Sequence, residues 1–347
     1  MSKVLVIRTS SFGDVAMLVP VVYSVAAKYP QDRFSVMTRK AFAPLFENLS
    51  FNVNVVPLDI KQHHRGIRGY FRVMRRISTM GFSHVADEHD VLRSKAIRYS
   101  MKMTGCKVAK IDKGRNEKKF AIEHKQLSPP LKHTIQRYQE VFDQLGFPAP
   151  MTFSNYFDFL QKDFSSLKSV VKEKKGKWIG IAPFSKHRGK IYPLKKMEKV
   201  IEQLSSEEDV TILLFGAGKE EQKVLSLWAD RYPRIINTTG KLNLKNELLL
   251  ISYLDVMLSM DSANMHLASL VQVPVVSIWG ATHPAIGFYG FRQDIENAIQ
   301  IDLDCRPCSV YGEIPCMRHE DEYACMERIT EEVVIKNIHK VLAQKGL

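Results

Sequence analysis

The chain has 347 residues, 45% hydrophobic and 25% charged, with a formal net charge of +13. That length suits two domains of ordinary size, and the composition is that of a globular protein. No segment reaches the roughly 20 apolar residues of a membrane-spanning helix, and Lys3 leads at once into a strand pattern rather than a secretory leader, so the expected location is the cytoplasm.

In chain order, residues 4–7 read as a strand and 15–28 as a helix that ends before Pro30. Residues 33–38 read as a second strand, 42–48 as a short helix and 52–57 as a third strand. Residues 61–80 carry Ile67, Tyr70, Phe71, Met74 and Ile77 at helical spacing among basic residues. A short strand at 84–86 and a second basic helix at 92–104 follow. A helix at 133–145 stops at Gly146, and Pro148 and Pro150 are breakers. The second half repeats the scheme, with strands at 178–182, 210–215, 235–237, 256–259 and 275–279. Its helices fall at 194–204, 220–232, 245–253 and 266–270. Alternation of this kind predicts an α/β protein with parallel sheets and crossover helices. The expected domains are 1–160 and 170–330, and the last helix, within 331–347, is expected to cross back to the first.

Two short motifs stand where a strand hands over to a helix, one in each half. Ser11-Phe12-Gly13-Asp14 follows the first strand. Asp261-Ser262-Ala263-Asn264-Met265-His266 follows the strand at 256–259. Ligands in open parallel sheets bind beyond the carboxyl ends of the strands, so the pair suits one site in a cleft between two domains. Gly13 permits close backbone approach. Ser11 and Asp14 at a helix start are ordinary capping residues. Ser185 to Lys190 forms a basic, hydroxyl-bearing loop after the strand at 178–182. The turn Phe215-Gly216-Ala217-Gly218 is glycine-rich but lacks the Gly-Lys-Ser/Thr ending of a phosphate-binding loop.

Together these segments resemble glycosyltransferase family 9, the bacterial heptosyltransferases of lipopolysaccharide core assembly. The resemblance implies the GT-B fold, two facing Rossmann-like domains with a cleft between them. It implies an acceptor-binding first domain and a nucleotide-sugar-binding second domain. Asp14 matches the family's catalytic base, which implies a proton acceptor with its pKa raised by the site, with Ser11 and Gly13 beside it on the acceptor side. Lys190-x-x-Pro193 is similar to the family's Lys-x-Trp-Pro, with Tyr192 in place of Trp. Ser185 and Lys190 are then contacts of the donor diphosphate. Asp261, Ser262, Ala263 and His266 match a donor-loop motif that usually has Gly at the position of Ala263, and a positive φ there would strain the alanine. Glu220 or Glu221 matches an acidic residue near the donor nucleoside. The implied reaction is inverting transfer of heptose from ADP-heptose to an inner-core hydroxyl, with no catalytic metal.

Between residues 61 and 119 there are 16 Lys or Arg against five Asp or Glu. A basic face of this kind attracts phosphate-rich partners, although a solvated helical face is the plainer reading. On the family reading, Arg65, Arg68, Arg72, Arg93 and Arg98 are candidates to grip phosphates or carboxylates of the acceptor, and the inner-membrane surface is an expected partner. Cys305, Cys308, Cys316 and Cys325 cluster late in the chain with His319 among them. They suit a structural zinc, reduced packing thiols or a redox role, and all three readings stay open. The rivals are a family 9 enzyme with another donor or acceptor, and a basic nucleic-acid-binding protein. The latter lacks any zinc-finger, RRM or helix-turn-helix pattern and leaves the two motifs unused, so nucleic acid is not an expected partner.

Overall fold

The computed structural model describes residues 1–59, 66–158, 160–318 and 320–346. The chain divides into two compact units, 1–113 with 133–156, and 114–132 with 157–347.

In the first unit the chain runs β1 (Lys3–Ile7), α1 (Phe12–Lys28), β2 (Arg33–Arg39), β3 (Val53–Leu58), α2 (Gly66–Ser78), β4 (His84–Asp87), α3 (Leu92–Met103) and β5 (Lys107–Lys110). It passes through α4 (Arg115–His124) of the second unit and returns with α5 (Thr134–Leu145). Among the described residues the strands form a parallel sheet ordered β3-β2-β1-β4-β5. Strand β1 reads Val-Leu-Val-Ile after Lys3, and all four residues are buried. A continuous apolar run is what a parallel strand needs when helices cover both faces. On one side Ile7, Met37 and Val85 pack with Val73 and Ile77 of α2 and Ile97 and Met101 of α3.

The second unit holds β6 (Lys177–Ala182), α6 (Leu194–Ser206), β7 (Val210–Leu214), α7 (Gly218–Arg231), β8 (Ile235–Asn237), α8 (Leu244–Ile251), β9 (Val256–Met260), α9 (Ala263–Leu270), β10 (Val275–Ile278), β11 (Ala298–Ile299), α10 (Ala324–Glu327) and α11 (Glu331–Gln344). Its parallel sheet, again among the described residues, is ordered β11-β10-β9-β6-β7-β8. Helix α11 packs on α6 and over β9 and β10 within this unit, burying Val334, Ile338, Val341 and Leu342.

Several elements differ from the sequence reading. The segment 42–48 is a 3-10 turn over Lys40–Leu45. Strands β5 and β11 and helix α4 were not expected. Lys107–Lys110 and Arg115–His124 are short and rich in lysine, so they carry little apolar periodicity, and β11 has two residues. The start of the basic segment at 61–65 lies outside the described residues. No described helix is long and apolar enough to cross a membrane.

Candidate active site

In the first sheet β1 lies between β2 and β4, so successive crossovers leave β1 in opposite directions and open a crevice at its carboxyl end. The loops after β1 and β4 meet there. Ser11 caps α1, and Asp14 stands in its first turn. Asp14 Oδ2 accepts three hydrogen bonds, from the Ser11 backbone N–H (3.0 Å), the Ser11 hydroxyl (2.5 Å) and Arg8 Nη2 (2.7 Å). Asp14 Oδ1 has no hydrogen bond among the described residues. The two oxygens are thus unlike: one is locked and one is open. Arg8 is held in turn by Nη1 donating to the Glu88 carbonyl at 2.5 Å, and its guanidinium lies over the Tyr138 ring.

Burial alone would raise the Asp14 carboxyl, but the Arg8 charge and the Ser11 hydrogen bonds outweigh it and hold it below its ordinary value. This corrects the expectation of a raised pKa. The cause is Arg8, which the motif at 11–14 does not include. Gly13 takes helical backbone within α1, so it supplies a small first-turn residue beside Asp14 rather than a left-handed turn.

The loop after β4 carries a dense set of ionisable groups. Arg98 Nη1 donates to Asp87 Oδ2 at 2.6 Å and Asp90 Oδ1 at 3.0 Å, while Asp87 Oδ1 caps the backbone N–H groups of His89 and Asp90. Arg98 is buried and committed to this pair, which removes it from the arginines expected to grip an acceptor. Replacing Arg98 with Met would leave the fully buried Asp87 without its cation, and Asp90 with Lys95 at 3.9 Å. The expected cost is about 3–5 kcal/mol, read as a lowered urea midpoint. His89 Nδ1 meets the Thr9 hydroxyl and Nε2 the Ser10 hydroxyl, both at 3.1 Å. Burial, with the charges of Arg8 and Lys113, pushes this imidazole down to about 3, so it is neutral.

Glu88 is fully buried, and neither carboxyl oxygen has a hydrogen-bond partner. Burial pushes its pKa well above the ordinary value against the opposing charge of Arg8. A raised carboxyl contributes stability that is fully present below its unfolded value, 4.5, and is lost as pH rises through the folded value. Glu88→Gln removes that loss. The melting temperature of the variant relative to the parent is therefore expected to climb as pH rises above 4.5; a constant difference would contradict a raised Glu88 carboxyl.

Of the other acceptor-side candidates, Arg93 is exposed in the first turn of α3, directly after this loop. Arg65 and the side chain of Arg68 lie outside the described residues.

In the second sheet the same reversal falls between β6 and β9. Lys190 Nζ pairs with Asp261 Oδ2 at 2.8 Å, and the Thr282 hydroxyl donates to the same oxygen at 2.8 Å. The Ser185 hydroxyl donates to the Asp261 carbonyl at 3.2 Å, and the Ser259 and Ser262 hydroxyls lie 3.2 Å apart. Ser262 is the cap of α9, with extended backbone, and Ala263 begins the helix. Ala263 therefore needs no positive φ, and alanine is unstrained there. His266 is buried in the same helix.

This loop set is braced from behind. Tyr192 is buried, with its hydroxyl on the Ile329 carbonyl at 3.1 Å, which anchors the chain just after Lys190. Arg306 donates to the Gly280 and Thr282 carbonyls, fixing the loop that carries Thr282. Gly312 has φ +75°, and a Cβ there would lie 2.6 Å from Lys190 Cγ, so glycine leaves room for the lysine stem.

Glu220 is not part of this group. Its side chain is 85% exposed and pairs with Lys223. Its neighbour Glu221 turns back instead, with Oε2 accepting from the Ala217 N–H at 2.7 Å. Glu247, in the first turn of α8, is pushed up to about 7 by burial alone.

Cys305, Cys308, Cys316 and Cys325 all line one cavity of about 10 Å³, with Arg318 and Tyr323. Burial pushes the Cys308 thiol up, and the Cys325 thiol to about 11. Among the described residues no three His, Cys, Asp or Glu stand where they would hold a metal ion; His319 lies outside them.

The profile of glycosyltransferase family 9 (heptosyltransferase) matches residues 70–315. The chain belongs to this family. As a family 9 glycosyltransferase it is 25% identical, over 298 residues, to lipooligosaccharide heptosyltransferase 2 of Campylobacter jejuni, covering 78% of this chain and 88% of that one. Its fold is that of solved GT-B heptosyltransferases. Escherichia coli ADP-heptose lipopolysaccharide heptosyltransferase II superposes with a TM-score of 0.71 at 18% identity, covering 99% of this chain and 100% of that one. E. coli heptosyltransferase WaaC, solved with ADP-2-deoxy-2-fluoro heptose, gives 0.68 at 17% identity, covering 97% and 99%. The family 9 enzyme thus has both expected motifs at the strand-order reversals of its own two sheets. The segment Asp87 to Ser94, which holds Glu88 and His89, resembles a family segment ending in Leu-Arg-Ser, but the sequence assigned those two residues no role; Arg8 and Thr282 were not picked out at all. An arginine directly after an apolar strand was the available signal for Arg8; Thr282 needed the strand order to bring it in.

Proposed function

We propose that this glycosyltransferase moves a heptose from ADP-heptose to a hydroxyl of the lipopolysaccharide inner core, with inversion at the sugar carbon. Asp14 Oδ1 takes the acceptor hydroxyl proton as that oxygen bonds to the sugar carbon. The bond from that carbon to the phosphate oxygen breaks, and ADP leaves with its electron pair. Lys190, the hydroxyls of Ser185 and Ser262, and the start of α9 offset the charge that builds on the diphosphate. Asp261 and Thr282 position Lys190. Ala263 and His266 hold the α9 start, and Glu221, rather than the solvent-facing Glu220, is the acidic residue assigned to the nucleoside in this reading. Ser11, Gly13 and Arg93 belong to the acceptor side. The chemistry calls on no metal.

The observation that carries the reading is Asp14 itself: an anionic carboxylate with one oxygen bound by three donors and the other open, in a member of a heptosyltransferase family. The donor choice draws on WaaC, solved with an ADP-heptose analogue. Calorimetric titration with ADP, UDP and GDP tests it. Binding of ADP in preference to the other two is expected; preference for UDP or GDP would keep the glycosyltransferase and discard this donor.

The acceptor places the enzyme at the cytoplasmic face of the inner membrane, with no nucleic-acid partner. The cysteine cluster is read as reduced thiols that brace the loop of Thr282, through Arg306 and through the Cys308 N–H bonded to the Ala281 carbonyl at 2.8 Å. Metal analysis of the purified protein is expected to find well under one zinc per chain; one equivalent would instead establish a structural zinc.

A further inference from the structure

We propose that the outer faces of α2 and α3 form a docking surface for an anionic lipid bilayer. On α3, Leu92 is 86% exposed, Tyr99 61% and Met103 88%. At about 100° per residue these three, with exposed Ala96, fall in one stripe. The stripe is opposite Ile97 and Met101, which face the core. Lys95 and Lys102 run along one edge of it. On α2, beside α3, Phe71 is 64% exposed, opposite buried Val73 and Ile77, and Arg75, one turn on, is exposed near it.

Single exposed apolar residues are normal on a protein surface. Three large ones aligned along one helix, flanked by lysines and joined by a phenylalanine on the next helix, are the pattern of a helix that lies in a membrane interface. Charge identifies the occupant. Neither α2 nor α3 contains an Asp or Glu, so the face carries only positive charge, apart from the distant partner Asp90 (3.9 Å) of Lys95. Anionic headgroups complement that charge while the apolar stripe enters the acyl boundary. A nucleic acid would use the lysines and leave Leu92 and Met103 without a role, and a second copy would bring the same positive face against itself.

The inference rests on the proposed acceptor only for its purpose. The test is sedimentation of the full chain with vesicles of phosphatidylglycerol and phosphatidylcholine in equal parts, and with pure phosphatidylcholine. The parent protein is expected to bind the anionic vesicles and release at high salt. The triple variant Leu92→Ser, Tyr99→Ser, Met103→Ser is expected to lose roughly a hundredfold in partition, with unchanged ADP affinity. Lys95→Gln with Lys102→Gln is expected to lose about tenfold, on anionic vesicles only. The proposal is overturned if the parent ignores anionic vesicles, or if the triple variant binds them as well as the parent. It is also overturned if the triple substitution instead abolishes a dimer seen by ultracentrifugation, or RNA binding with vesicle binding intact. Vesicle binding by a protein that takes no nucleotide would sink the proposed donor and leave this surface standing.

Discussion

Asp14→Asn is expected to lower turnover by about three orders of magnitude while the fold and ADP affinity persist. The amide cannot take the proton that the acceptor hydroxyl must lose. The substitution is nearly isosteric, so the α1 start and the Ser11 cap retain their shape. Arg8 keeps its bond to the Glu88 carbonyl, which limits the structural consequence of losing its anionic partner. The pH profile adds a second, independent readout. Because Arg8 and Ser11 outweigh burial and hold Asp14 below its ordinary value of 3.8, the carboxylate is already ionised throughout the neutral range. The acid limb of kcat/KM due to this group therefore lies below that value. The stability that its ion pair contributes is present above the unfolded pKa and is lost as pH falls through the folded one. Arg8→Gln removes the charge that lowers the pKa, so it should move the acid limb upward. A merely structural arginine would lower activity at every pH without moving the limb.

Lys190→Ala is the second large effect. Turnover is expected to fall by about a hundredfold or more, with ADP binding weakened in parallel, because the cation bonded to Asp261 is also the one offered to the diphosphate. The loss has a structural side. Lys190 and Asp261 are both nearly buried, at 14% and 9% side-chain exposure, so among the described residues removal of the lysine leaves Asp261 Oδ2 with the Thr282 hydroxyl. A loss of about 3 kcal/mol in stability should accompany the functional defect. The double variant Lys190→Ala, Asp261→Asn separates the two: the neutral amide should recover most of the stability, read as melting temperature, but none of the ADP affinity. Recovery of both would make Lys190 a structural residue only.

Much of this architecture was legible in the residues. The apolar runs at 4–7, 178–182 and 256–259 are long enough to need helices on both faces, and they became the central strands of two parallel sheets. Ser11 to Asp14 and Asp261 to His266 could be placed at strand ends because each follows such a run directly. Strand order was not legible, because pairing of distant segments leaves no local mark. Glu88 and His89 reach the Asp14 loop only because β4 lies beside β1. The sign of the Asp14 shift was missed for the same kind of reason: the charge that sets it, Arg8, stands outside the motif. Arg98 looked like one more surface cation in a basic helix, but its position on α3 points it inward to Asp87. Glu220 and Glu221 are adjacent in sequence and differ only in which side of the α7 start they occupy, which a helix decides at about 100° per residue.

The most direct test of the central claim is to incubate the purified protein with ADP-heptose and heptose-free inner-core lipid, and to weigh the lipid by mass spectrometry. The account predicts a product heavier by one heptose residue, with ADP released in equal amount, and no such product from Asp14→Asn. An unchanged lipid with the parent enzyme, or full conversion by Asp14→Asn, would contradict it.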